Sequence, residues 1–213
     1  MLKIYGRANS INVRKILWLC EEMGLPFEQS DWGRGYRPTS DPEFQRLSHF
    51  GLVPVIDDNG FVLRESNAIV RYLAARYAAQ AGAANLFPED IKARATIDAW
   101  MEWSATNLFA GLRAVFLGLY VKTPEFADKP ETIEWARGAW TRQMQLLESE
   151  FEATGAPYVT GDSLTIADIP IGLVVNRWYG LEFEKPELPA IARYYERLSE
   201  RPGYRLYGRN GTP

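Results

Sequence analysis

The stretch Val53-Pro54-Val55-Ile56-Asp57-Asp58-Asn59-Gly60-Phe61-Val62-Leu63-Arg64-Glu65-Ser66-Asn67-Ala68-Ile69 holds two β-rich runs separated by Asp58-Asn59-Gly60. Asn-Gly between apolar runs is a strong hairpin signal, because both residues tolerate the positive φ that a tight turn demands. From Ser66 the period changes. Ile69, Leu73 and Tyr77 share one stripe, which predicts a helix over 66–77. Upstream, Leu2–Tyr5 reads as a strand, and Val13, Ile16, Leu17, Cys20 and Met23 recur at helical spacing until Gly24 supplies a stop. Pro26–Ser30 reads as a second strand, and a brief helical turn is expected near Glu43–Leu47. The order βαβαββα, with a parallel start and an antiparallel end, describes a small α/β unit.

Beyond it the texture becomes helical throughout, which places a linker at about 80–90 and divides the chain into 1–80 and 90–213. Ile97, Met101, Ser104, Leu108, Leu112, Val115 and Leu119 step by three or four along one long helix, with Trp100, Trp103, Asn107, Ala110 and Ala114 on an adjacent face. A second helix is predicted over 129–152. A third begins at Thr165-Ile166-Ala167-Asp168, where the Thr hydroxyl accepts from a first-turn amide and the Asp carboxylate returns the bond, with Leu164 and Ile169 as a hydrophobic staple. Pro170 allows a kink there. The last helix is expected over 188–200, ending at Pro202-Gly203. The tail carries Arg201, Arg205 and Arg209 without an acid, and is either solvated or folded back on the first half.

The 213 residues are 46% apolar with a net charge of −3, which describes a core-forming chain and argues against a general nucleic-acid binder. One cysteine cannot form an internal disulfide, and no Cys-x-x-Cys pair offers a metal site. With no signal-like start and no apolar run of about 20 residues, a cytoplasmic protein without a membrane span is expected. Phosphate-loop, nucleophile-elbow and zinc-helix signatures are absent. Gly33-Arg34-Gly35-Tyr36-Arg37-Pro38 fails as a dinucleotide fingerprint at Pro38, and a catalytic triad would rest on His49, the one histidine.

Three other segments carry chemistry. Gly6-Arg7-Ala8-Asn9-Ser10-Ile11-Asn12-Val13-Arg14 joins strand one to helix one, placing a hydroxyl and an amide at a helix N-terminus, where unpaired N–H groups favour an anion. Ser10 or Asn12 could equally serve as a helix cap. At Val53-Pro54, a cis bond would turn the Val53 backbone outward to pair with an extended peptide. Glu65-Ser66 opens the next helix, where Ser66 and the first amides can hold a carboxylate. An anion site, a backbone ladder and a carboxylate site together make a peptide-shaped site.

On the turn at 10–14, Gly51-Leu52-Val53-Pro54, Glu65-Ser66-Asn67-Ala68-Ile69 and the Thr165-to-Asp168 box, nearly the whole chain resembles the cytosolic glutathione transferases. It looks most like bacterial, theta- or beta-like members that use a serine region in place of tyrosine. The resemblance implies a thioredoxin-like α/β N-terminal domain, an all-α C-terminal helical bundle, a homodimer, and glutathione as co-substrate with no prosthetic group or metal. Carried over residue by residue, Ser10 matches the hydroxyl that donates to the glutathione sulfur, with Asn12 placed to assist or substitute. Val53 would pair with the cysteinyl backbone, with Leu52 and Pro54 beside it in the glutathione-binding set, and Glu65 and Ser66 would hold the amine and carboxylate of the γ-glutamyl end. Leu52 stands where many members carry Lys or Arg, so the glycyl carboxylate falls to Arg34, Arg37 or His49. Phe50 matches the place from which some members insert an aromatic key into the partner subunit.

The chemistry expected is activation of a thiol, with an ordinary pKa near ~8.5, by a hydrogen bond to its anion. The thiolate would then attack a small, hydrophobic electrophile. Trp103, Asn107, Phe109, Phe116 and Trp178 are the candidate walls of that pocket, and Cys20, inside the apolar stripe of helix one, is expected to be a core thiol. Two alternatives remain: a non-catalytic protein that binds ligands or partners on the same fold, and a glutathione-dependent lyase, dehalogenase or peroxidase.

Overall fold

The computed structural model describes residues 1–213. Four strands, β1 (Leu2–Tyr5), β2 (Phe27–Ser30), β3 (Val55–Asp58) and β4 (Phe61–Arg64), form one sheet in the order β2-β1-β3-β4. β1 pairs parallel with β2, Ile4 opposite Gln29, and antiparallel with β3, Ile4 opposite Ile56; the hairpin pairs Val55 with Arg64. Helices α1 (Ile11–Met23), α2 (Pro42–Leu47) and α3 (Ser66–Tyr77) complete a thioredoxin-like unit in the predicted order. Gly24 ends α1 in the left-handed conformation, with its N–H bonded to the carbonyls of Cys20 and Glu21, as its position after the last apolar residue implies.

The second half is a helical bundle: α4 (Ile91–Trp103), α5 (Phe109–Val115), α6 (Pro124–Ala127), α7 (Pro130–Thr154), α8 (Asp168–Gly180), α9 (Pro189–Ser199) and α10 (Pro202–Tyr207). The long helix expected over 97–119 is broken in hydrogen-bond pattern by π-helical turns at Ser104–Leu108 and Phe116–Tyr120. Each wider turn rotates the residues after it relative to those before it, so one helical period does not carry through.

Helix α1 sits between sheet and bundle, packing on α3, α8 and α10. Its Ile16, Leu17, Trp18, Leu19 and Cys20 belong to a single core of 45 buried residues that runs through both halves. The tail folds back over the first half: the Arg201 guanidinium meets the Glu22 carboxylate at 3.0 Å, and Tyr204 packs against Trp18 with ring centroids 4.8 Å apart. Pro202-Gly203, read from the sequence as the end of the last helix, instead opens α10. Proline suits a first helical turn, where its missing N–H would have no partner, so it starts a helix here as readily as it ends one.

At the start of α8 only half of the expected reciprocal cap is present. Asp168 Oδ2 accepts from the Thr165 N–H at 2.8 Å, whereas the Asp168 N–H bonds to the Thr165 carbonyl. The Thr165 hydroxyl is drawn instead to Thr160 at 3.0 Å. Asp168 Oδ1 also accepts from the Val159 N–H and the Tyr194 hydroxyl, both at 3.0 Å, so this buried carboxylate ties a loop and two helices together. Burial pushes its carboxyl up to about 6 against the pull of these hydrogen bonds. Pro170 falls in the first turn of α8, where its missing donor leaves no helical bond unmade.

Removing such a carboxylate strands the Thr165 and Val159 N–H groups and the Tyr194 hydroxyl and loosens a longer contact from the Thr165 hydroxyl. Asp168→Ala is expected to lower unfolding stability by about 2–4 kcal/mol. Asp168→Asn, which turns an amide N–H₂ toward one of those donors, should recover only part of it. Urea midpoints for the three proteins check this.

Candidate active site

Ser10 is the N-cap of α1, with its carbonyl accepting the Arg14 N–H at 2.9 Å, yet its side chain makes no capping bond. The hydroxyl is left uncommitted at the wall of a cleft of about 660 Å³ between the two halves. Gly6 lets the loop before it pass under Val53: a Cβ there would meet Val13 at 2.6 Å and Val53 at 3.0 Å. The Val53-Pro54 peptide is cis, as the sequence predicts. The Val53 N–H and C=O bond to no protein group, and Val53 and Leu52 face the same cleft as Ser10. Pro54 is buried and closes a small recess beside Glu65 and Ser66. Asn12 lines the cleft, this recess and a third hollow at the start of α3.

Helix α3 starts abruptly. Glu65 holds φ 71° and ψ 109°, unfavourable for a side-chain-bearing residue, and Ser66 follows as the first helical position. The first N–H groups of α3 therefore open beside Ser66, the buried hydroxyl of which donates to Asn12 Oδ1 at 3.3 Å. Behind it lies Lys15, which sequence reasoning missed. Its buried ammonium donates to Ser66 Oγ at 3.2 Å and Asn67 Oδ1 at 3.0 Å. Burial first, then the like charge of Arg177, pull its pKa down to about 8, with Glu65 opposing. A cation and a helix N-terminus thus converge on one hydroxyl, an arrangement suited to a carboxylate.

The remaining candidates from the sequence divide. Of the three glycyl-carboxylate candidates, Arg34 lines the cleft, joined by Arg7, which the sequence did not single out. Arg37 does not reach it: its guanidinium is held by Glu43 at 2.8 Å and Asp41 at 3.2 Å over the Trp32 ring. His49 is exposed and outside the lining. Of the five candidates for the second-substrate pocket, Phe109 and Phe116 line the cleft. Trp178 does not; at 1% exposure it stacks edge-on to Trp140 in the bundle core. Trp103 turns toward α7, donating to Gln143 at 3.2 Å, and Asn107 is exposed beside the Thr106 hydroxyl. The π-turn at 104–108 separates these two from Phe109. Cys20 is fully buried, which pushes its thiol up to about 12 and keeps it a packing residue.

Arg14 and Arg177 also escape sequence reasoning. Arg14 donates to the Thr212 hydroxyl at 2.5 Å and carbonyl at 3.3 Å, closing one side of the cleft with the tail. A cue was available: Arg14, Lys15 and Arg177 each lie in helices with no acid within four residues, so none finds a partner on its own helix.

A thioredoxin-like sheet, a helical bundle and a cleft bounded by two helix N-termini define the glutathione S-transferase class. Residues 1–75 match the family model for the glutathione S-transferase N-terminal domain and residues 113–202 that for its C-terminal domain. The chain is 33% identical over 207 residues to glutathione S-transferase GstB of Escherichia coli K12, covering 96% of each. Among solved structures it is similar to a theta class glutathione S-transferase from Xanthomonas axonopodis pv. citri with glutathione bound. That match has 37% identity, a TM-score of 0.84, and coverage of 97% of this chain and 96% of the other. A delta-class transferase from Nilaparvata lugens aligns at 25% identity and a TM-score of 0.81, over 99% and 94% of the two chains. The chain belongs to the glutathione S-transferase family.

The depressed pKa of Lys15 has a pH consequence. Folded and unfolded chains both carry its proton below about 8, where the cost of burying the charge is greatest; the folded chain loses that proton first as pH rises toward the ordinary value near ~10.4, so the cost is relieved. The stability of the natural chain relative to Lys15→Met is therefore expected to rise between about pH 8 and pH 10 and to stay flat from about 6 to 7. Parallel urea titrations across that range measure the difference.

Proposed function

We propose that this transferase activates the thiol of glutathione through the Ser10 hydroxyl and adds it to small electrophiles. The observation that carries the reading is the hydroxyl itself: it heads a helix, declines the cap bond, and faces a cleft that adjoins, across Asn12, a hollow suited to a carboxylate. Val53 pairs with the cysteinyl backbone beside Leu52 and Pro54. Ser66, backed by Lys15, holds the γ-glutamyl carboxylate, Glu65 its amine, and Arg34 with Arg7 the glycyl carboxylate. This assigns glutathione to residues 1–80 and the electrophile to the walls that 90–213 contribute, chiefly Phe109 and Phe116.

The mechanism follows from charge. A hydrogen bond to an ionised group contributes about 1.5–3 kcal/mol, or about 1–2 pK units, to which the unpaired amides of α1 add. A thiol of ordinary pKa ~8.5 is thereby ionised at neutral pH. Its proton goes to solvent, and the thiolate sulfur attacks the electrophilic carbon while the leaving group departs with the bonding pair. Asn12 steadies Ser66 and stands next to the sulfur's place as an auxiliary donor. The cytoplasm, where glutathione keeps thiols reduced, is the compartment that supplies the co-substrate.

Ser10→Ala should lower kcat at least about tenfold with 1-chloro-2,4-dinitrobenzene and shift the pH–rate profile upward, with little change in retention on immobilised glutathione. Ser66→Ala should do the reverse, raising the glutathione KM with kcat largely kept. An unmoved profile in the first variant would transfer the role to Asn12. Binding without turnover in the natural chain would favour the non-catalytic reading.

We also infer a homodimer. Ala95, Ala99, Trp100 and Trp103 on α4 and Leu146 and Leu147 on α7 line an open apolar groove of about 630 Å³, with Leu146 more than half exposed. Phe50, 63% exposed and stacked under the Arg64 guanidinium at 3.7 Å, is free to act as an aromatic key. Leu146→Glu is expected to convert a dimer to a monomer in sedimentation equilibrium at micromolar concentration. A natural chain that sediments as a monomer would refute the assignment.

A further inference from the structure

The cleft contains more positive charge than glutathione accounts for. Arg7, Arg14, Arg34, Arg113 and Arg177 all line it, and no Asp or Glu does, although Arg113 reaches out to Glu125 at 3.5 Å and Arg14 to the Pro213 carbonyl at 3.5 Å. Arg34 and Arg7 lie by the loops of the sheet domain, and Arg14 is occupied by the tail. Arg177 is different. It projects from α8 beside Asn176, which is itself hydrogen-bonded to Tyr195 and Thr212, is 5% exposed, and makes no side-chain hydrogen bond or ion pair; its Nε is buried without a partner. Its guanidinium lies 3.6 Å above the Phe116 ring, on the wall assigned to the electrophile. The ring fixes the plane of the fork but satisfies none of its N–H donors. A buried cation without hydrogen bonds is costly, so its retention at a cleft wall marks the place of an anion that arrives with the ligand.

Resting on the glutathione reading, we propose that the second substrate is a small electrophile bearing a carboxylate, which Arg177 holds against Phe116 while the thiolate attacks the neighbouring carbon. The planar fork of arginine matches a carboxylate with two parallel N–H···O bonds. Anchoring that group orients the reacting carbon as well as binding it, so the advantage appears in kcat/KM for charged electrophiles over neutral ones of the same shape. The aromatic wall then packs against the carbon skeleton, while the charge selects among electrophiles.

Iodoacetate and iodoacetamide isolate the charge, since they differ only in carboxylate against carboxamide. With either, the S–C bond forms as the C–I bond breaks and iodide departs with the electron pair. Each enzymatic kcat/KM is divided by the uncatalysed rate constant with glutathione. The ratio of these enhancements is expected to favour iodoacetate by about tenfold or more, and to fall toward one in Arg177→Gln. Arg177→Lys, which keeps charge without the fork, should retain part of the preference and serves if the glutamine variant does not fold. A natural ratio near one overturns the proposal. So does a ratio that Arg177→Gln leaves intact, or equal losses with both probes, which would assign Arg177 to glutathione itself. No turnover with either probe and no retention on immobilised glutathione would instead defeat the glutathione reading, and this inference with it.

Discussion

The structure depends on burying helix α1 on all its faces while leaving its first turn open. A helix packed only along one stripe can roll, but α1 is held by α3 on one side and by α8 and α10 on the other, in a core it shares with Ile4 and Ile56 of the sheet. Even Arg14 and Lys15, one turn in, are more than nine-tenths buried. The orientation of Ser10 and Asn12 is therefore set by the packing of Trp18, Leu17 and Ile16 rather than by local bonds. This explains how Ser10 can do without its cap bond: the helix start is held by the core, and the hydroxyl is free for another partner.

The same packing accounts for the role of the C-terminal segment. Residues that sequence order places farthest from α1 touch it most directly, through the Arg201–Glu22 pair, the Tyr204–Trp18 contact and the Arg14–Thr212 bonds. The bundle is thus more than a wall added to a finished sheet domain. It completes the burial that aims the first helix, and one continuous core couples the geometry of the sulfur site to the packing of the second half.

The legible parts of the sequence are those governed by local rules. The Asn59-Gly60 hairpin, the Gly24 stop and the Ser66 helix start follow from backbone preferences that no tertiary contact overrides, and they position Ser10, Val53 and Ser66 around one cleft and its adjoining recesses. The second-substrate wall is half legible. Periodicity says which residues share a face, but not which neighbour covers it, so Trp178 falls into the core. It also assumes one period, and the π-turn at Ser104–Leu108 breaks that assumption between Trp103 and Phe109. Lys15 and Arg177 escape because a charge in an apolar helix has no periodic signature; only the lack of a nearby acid gives it away.

Several unfavourable features collect around one cleft: a backbone conformation at Glu65 that its side chain resists, an unbonded Val53 peptide edge, a buried ammonium at Lys15 and an unpaired guanidinium at Arg177. Scattered, they would be unrelated defects of a stable fold. Gathered, they ask for complementary groups: carboxylates for the two cations and an extended peptide edge for Val53. A tripeptide with a free carboxylate at each end answers Lys15, Val53 and the arginines of the sheet-domain loops, but it leaves Arg177 on the opposite wall. The unmet polar demand therefore exceeds what one glutathione can satisfy, and the excess lies on the side where a second molecule must enter. Binding at that wall would relieve the cost of burying the Arg177 guanidinium without a partner, which makes charge, as well as apolar area, a determinant of what the cleft accepts.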